Sequence, residues 1–193
     1  MGVPRIAPLA TPLGEPLASH MAKLIPHGMP PPQLFLSVAR NGGLFEFMVT
    51  SGFIGPTGLM DRHMLPSEVR ETLILRTCVA TRNDYEFNLH VQTISERMGL
   101  SMAQIDNVKL EVISPTLWRD DLRVLTRVVD SFVKTLKLSD GLYAEAKEHF
   151  TLEELIEITQ LIGLYVGVAM MVGLIQPELD RYRPDAVFMA NTL

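Results

Sequence analysis

Between residues 33 and 175 apolar residues recur at helical spacing, and no segment shows sustained apolar-polar alternation bounded by turn residues. A chain patterned this way is expected to be all-α, a single-domain helical bundle, because period-two faces are what a sheet needs and they are missing. Leu34, Phe35, Val38 and Ala39 mark a first helix ended by Asn41-Gly42-Gly43, and Leu44 to Ile54 mark a second, stopped by Gly55-Pro56. Pro66-Ser67-Glu68 opens a third. A polar break at Thr81-Arg82-Asn83-Asp84 leads into a fourth, which the apolar positions Val91, Ile94 and Met98 carry on to Gly99. Ser101 and Gln104 match a capping box for a short helix to about Lys109, and Trp118 to Leu136 is strongly amphipathic. Ser139 to Phe150 is another helix, and a second capping box, Thr151 with Glu154, opens a long apolar helix to Ile175.

The 193 residues, 47% of them hydrophobic, suffice for one core, and the expectation is one domain over 1–193. Most of the 13 prolines lie before residue 33, so residues 1–31 are expected to be an extended arm, packed down by Ile6, Leu9, Leu13, Leu17, Met21, Leu24 and Ile25. A net charge of −5 with acids and bases interspersed argues against a nucleic-acid or polybasic membrane partner. The lone Cys78 excludes an internal disulfide and fits a reducing, cytoplasmic setting. Prolines at 4, 8, 12 and 16 break any signal-peptide-like run. The most apolar run, Leu161 to Ile175, is about 15 residues against the roughly 20 that span a bilayer, and reads as a buried helix.

Acid, base and helix signals coincide at residues 66–100, read as a helical hairpin. Glu86 and His90 stand four apart, one turn apart on one helix face. Glu71, among Leu73, Ile74 and Leu75 on the preceding helix, reaches the same pocket if the two helices pack antiparallel.

This stretch resembles the carboxymuconolactone decarboxylase and AhpD-like family. The residues that carry the likeness are Leu65-Pro66, Arg70-Glu71-Thr72-Leu73-Ile74-Leu75-Arg76, Tyr85-Glu86-Phe87-Asn88-Leu89-His90 and Gly99-Leu100-Ser101 with Gln104-Ile105. Flanking similarities are Arg5-Ile6-Ala7-Pro8, Trp118, Val129-Asp130 and Leu161-Ile162-Gly163-Leu164-Tyr165. Peroxidase members of the family carry a CxxC whose second cysteine precedes the His by four, with a Glu twelve residues before the first. Glu71 and His90 fill the outer positions here, but Asn83 and Glu86 stand where the thiols would be. Neither can attack a peroxide and close a disulfide, so alkylhydroperoxidase chemistry is disfavoured. Cys78, mid-helix among apolar neighbours, reads as structural.

The branch without the dithiol implies a cofactor-independent acid/base enzyme, carboxy-lyase-like, acting on a small carbonyl or lactone acid. Glu71, Glu86 and His90 are the expected catalytic residues: His90 moving a proton, Glu86 orienting it or acting as base, and Glu71 kept protonated by burial and donating. Tyr85 and Asn83 are the expected substrate contacts. The resemblance also implies a homo-oligomer (dimer, trimer or hexamer), no cofactor and no bound metal. Three other readings stand beside it: a solvated Glu86–His90 pair with Glu71 on a structural Arg such as Arg82 or Arg127, a metal held by Glu71, Glu86 and His90, and a non-catalytic binding protein. His20, His27, His63 and His149 have no spaced partner.

Overall fold

The computed structural model describes residues 3–55 and 58–182. Among them are nine helices and no strand: α1 Leu17–Ala22, α2 Gln33–Val38, α3 Gly42–Thr50, α4 Ser67–Thr81, α5 Asp84–Thr93, α6 Met102–Asn107, α7 Asp120–Thr135, α8 Asp140–Lys147 and α9 Leu152–Ile175. The all-α expectation holds. The described residues group into two compact units, one of 3–55 and 58–63 with 171–180 and one of 64–170 with 181–182.

In the first unit α1, α2 and α3 enclose Met21, Leu36, Ala39, Phe45, Met48, Val49 and Ile54, with Leu9, Leu13, Leu17, Leu24 and Ile25 packed against them. The proline-rich segment, unable to run as long helix, places those apolar side chains at intervals. Its backbone is tied by Arg5 N–H donating to the Ile175 carbonyl at 2.9 Å and by Ser37 Oγ donating to the Ile6 carbonyl at 3.0 Å. Asn41-Gly42-Gly43 does not end α2 as its left-handed tolerance suggested. Asn41 at φ −93° caps α3 instead, its side chain accepting from Leu44 N–H at 3.1 Å.

The second unit is built on α4, where ten consecutive residues from Val69 to Cys78 are buried. A helix enclosed on all sides must bury its polar residues too, and each then needs a partner. Arg76, 5% exposed, meets that demand fully. It pairs with Asp130 on α7 through Nε at 2.7 Å and Nη2 at 2.5 Å, and it donates to the carbonyls of Val108, Leu110 and Glu111 at 2.7, 2.6 and 3.2 Å. The amphipathic α7 covers α4 with Leu122, Val124, Leu125, Val128 and Val129. Both expected capping boxes form, Ser101 with Gln104 and Thr151 with Glu154.

The longest helix, α9, has 24 residues, and by length and composition it is long and apolar enough to cross a membrane. The helix starts at the Thr151 cap as expected; the 15-residue run counted from Leu161 was too short because Leu155, Ile156 and Ile158 extend the apolar stretch ahead of it. About a third of its most apolar stretch is buried within the chain. Leu155, Ile158, Leu161, Ile162, Leu164, Tyr165 and Ile175 are buried, while Leu152, Ile156, Met170 and Leu174 are exposed.

Candidate functional site

Two backbone devices bring α4 and α5 into register. Arg82, at φ 55°, takes the left-handed conformation at the end of α4, and Asn83 N–H then bonds back to the Cys78 carbonyl at 2.8 Å. Asn83 next caps α5, its Oδ1 accepting from Glu86 N–H at 3.2 Å. In a full capping box Glu86 would reach back to the Asn83 N–H. That donor is already engaged with Cys78, and the Glu86 carboxylate turns toward His90.

The three residues expected to act together do meet. His90 Nδ1 lies 3.0 and 3.1 Å from the two carboxylate oxygens of Glu71, and His90 Nε2 lies 3.4 Å from Glu86 Oε1. All are buried: Glu71 is 0%, His90 2% and Glu86 4% exposed. The solvated-pair reading therefore does not describe them, and neither proposed arginine partners Glu71. Arg82 is exposed at the helix end, and Arg127 pairs with Glu145 at 2.6 Å.

Two further groups complete the cluster. Ser95 Oγ donates to Glu71 Oε1 at 2.6 Å, and the Tyr165 hydroxyl on α9 lies 3.4 Å from His90 Nε2, its ring edge-on to the imidazole. Ser95 went unseen because α5 was expected to run to Gly99. It stops at Thr93: Ile94 leaves helical geometry at φ −127°, and both Ile94 N–H and Ser95 N–H bond to the His90 carbonyl at 2.7 and 3.0 Å. On an uninterrupted helix Ser95, five residues past His90, would point about 140° away from it. The break swings it onto Glu71.

Burial works against charge on both Glu71 and His90, yet their proximity outweighs it. Against the opposing pull of burial, the His90 pKa is pushed up from 6.5 to about 10 by the Glu71 charge and by the hydrogen bonds its ring donates to both carboxylates. Burial raises the Glu71 carboxyl, and the His90 charge and the His90 and Ser95 hydrogen bonds, with Arg70, bring it net below its usual 4.5. Glu71 is thus an anion, not the protonated donor anticipated from burial alone. His90 is a cation that spends one N–H on Glu71 and turns the other toward Glu86 and Tyr165. Burial and the Glu86 and Glu71 charges push the Cys78 thiol and the Tyr165 phenol well above their ordinary ranges. Cys78, 1% exposed, is a sealed thiol.

Of the expected substrate contacts, Asn83 is the helix cap, 3% exposed, and Tyr85 is 4% exposed on α5. The tyrosine hydroxyl that meets His90 is that of Tyr165. Glu86 Oε2 and Asn83 Nδ2 are buried with no partner. No group of three or more His, Cys, Asp or Glu among the described residues is placed to hold a metal ion. His20 is buried, whereas His27, His63 and His149 are exposed.

No known family profile matches the chain, and no curated protein does. Solved structures do. A protein of unknown function from Agrobacterium tumefaciens, named as a candidate AhpD antioxidant defence protein, matches with a TM-score of 0.65 at 19% identity, over 75% of this chain and 96% of its own. The debrominase Bmp8 matches with a TM-score of 0.75 at 14% identity, over 91% of this chain and 92% of its own. A cysteine-to-alanine variant of Bmp8 in complex with 2,3,4-tribromopyrrole matches with a TM-score of 0.70 at 14% identity, over 91% of each chain. At such identities the likeness is one of fold, and the fold of this chain is the AhpD-like helical fold.

Proposed function

We propose that the protein is a cofactor-independent acid/base enzyme acting on a small carbonyl or lactone acid, with carboxy-lyase chemistry as its reaction class. The observation that carries this reading is the buried imidazole ring of His90 held between two carboxylates, Glu71 at 3.0 Å and Glu86 at 3.4 Å. Glu71, fixed by Ser95, is the permanent counter-ion that orients the ring through Nδ1. The proton at Nε2 is then the one to be delivered, and Glu86 is the base that receives or relays it. In a decarboxylation the carbon–carboxylate bond breaks, its electron pair passes into the adjacent carbonyl as an enolate, and the carbon that lost carbon dioxide takes the proton from the His90–Glu86 side.

The structural neighbours fit small-molecule chemistry on this fold: one is a debrominase, and its variant was captured with a brominated pyrrole. Thiol chemistry has no support here, because Cys78 is buried and its pKa is raised. The test is a screen of keto acids and lactone acids for carbon dioxide release, followed by His90→Gln on whichever is turned over. The expected result is a fall in kcat of roughly 10²- to 10⁴-fold with KM little changed. Unchanged turnover in that variant would remove His90 from the chemistry.

A further inference from the structure

Asn83 and Glu86 each have one polar atom committed and one left over. Asn83 Oδ1 caps α5 and Glu86 Oε1 faces His90 Nε2, whereas Asn83 Nδ2 and Glu86 Oε2 are buried with no partner. The spare atoms have opposite hydrogen-bonding sense, donor and acceptor, and belong to residues three apart on one face of a helix N-terminus. A buried polar atom without a partner is costly, so one orphan calls for a water, but a matched pair beside an acid/base group fits a ligand that answers both. The ten-residue α5 adds a dipole whose positive end favours negative charge there.

We propose that this pair holds an enolisable carbonyl compound, Asn83 Nδ2–H donating to the carbonyl oxygen and Glu86 Oε2 removing a proton from the adjacent carbon, so that the site exchanges that proton without any loss of carbon dioxide. The proposal rests on the acid/base reading above and adds the group that recognises the substrate. The step balances within the site. The C–H electron pair becomes the new C=C bond, the C=O π pair moves to oxygen, Glu86 becomes the carboxylic acid and trades its proton for one from solvent, and delivery of that solvent proton to carbon regenerates the ketone and the Glu86 carboxylate. The negative charge forms on the oxygen that faces Asn83 and the helix N-terminus, so these groups act on the enolate more strongly than on the ketone.

The experiment follows loss of the C–H signals next to the ketone of levulinate in deuterium oxide by proton NMR, with binding of 4-nitrophenol as a mimic of the enolate. Wild-type protein should accelerate exchange and bind 4-nitrophenol, and Glu86→Gln should abolish exchange. Asn83→Ser keeps an oxygen to cap α5 but loses the Nδ2 donor, and should slow exchange and weaken 4-nitrophenol binding by on the order of 10²-fold. Asn83→Asp, which also retains the capping oxygen, serves as the second variant if the serine protein does not fold. Wild-type exchange no faster than the buffer rate overturns the proposal. So does an Asn83 variant that exchanges like the wild type while Glu86→Gln and His90→Gln are inert, a result that leaves the acid/base reading standing. Full exchange in Glu86→Gln and His90→Gln would instead overturn the acid/base reading itself.

Discussion

Replacing Glu71 with Gln should change how the stability of the second unit depends on pH. The folded protein holds a proton on His90 up to a pKa of about 10, whereas an unfolded His releases it near 6.5. A raised pKa stabilises fully below the unfolded value and is lost as pH rises through the folded one. One proton of difference contributes about 1.4 kcal/mol per pH unit, so wild-type stability should fall by about 3 kcal/mol between about pH 7 and 9. Cys78 and Tyr165, whose pKa values are also raised, contribute mainly above their ordinary 9.0 and 10.0, so His90 dominates that interval. On the acid side Glu71 is lowered, and its share is present above 4.5 and lost as pH falls further. The ion pair is therefore at full strength between 4.5 and 6.5.

Glu71→Gln preserves the shape but removes the anion facing His90 Nδ1. The groups left around the ring are Glu86, the Tyr165 hydroxyl, Ser95 and the more distant Arg70. Loss of one partner of a buried pair costs about 3 to 5 kcal/mol, and the slope between about pH 7 and 9 should fall by more than half. Urea titrations at several pH values, followed by the fluorescence of the single, buried Trp118, would read both quantities. A wild-type curve flat across that interval, or a Glu71→Gln slope equal to it, would refute the assignment of a Glu71-stabilised imidazolium.

Two other substitutions test the supports. Ser95→Ala removes a 2.6 Å donor to Glu71 and should cost about 1.5 to 3 kcal/mol, with the acid limb of the pH profile moving upward; unfolding titrations at about pH 4 and 6 check it, and an unchanged acid limb would show that Ser95 does not hold the carboxylate. Arg76→Met strands Asp130 and three carbonyls, and a loss of about 3 to 5 kcal/mol is expected by urea unfolding, with faster proteolysis at residues 108–111. A change within about 0.5 kcal/mol would mean that those groups find water instead.

The helices were legible because their signals are local. Ser101 with Gln104 and Thr151 with Glu154 formed the caps their spacing announced, and the amphipathic stripe of α7 faces the core. Glu86 and His90 were legible for the same reason, being one turn apart. What escaped depends on groups distant in sequence. The charge on Glu71 follows from His90 and Ser95, 19 and 24 residues away, and no local pattern tells a buried carboxyl whether it will find a cation. Tyr165, 75 residues from His90, was visible only as part of a family-like flank. Asn41 was misplaced because a residue fit to end one helix is equally fit to begin the next.

The early stop of α5 has a consequence for how such a site survives mutation. Ser95 reaches Glu71 because the chain leaves the helix at Ile94, a position that contributes backbone shape and no charge. A substitution there that favours continued helix would carry Ser95 around the axis and leave Glu71 with one donor fewer, although Glu71, Glu86 and His90 all remained in place. Relatives that keep the acidic and basic residues can therefore differ in proton affinity through a residue that any motif would pass over, and the inheritance of this chemistry is written partly in where a helix ends.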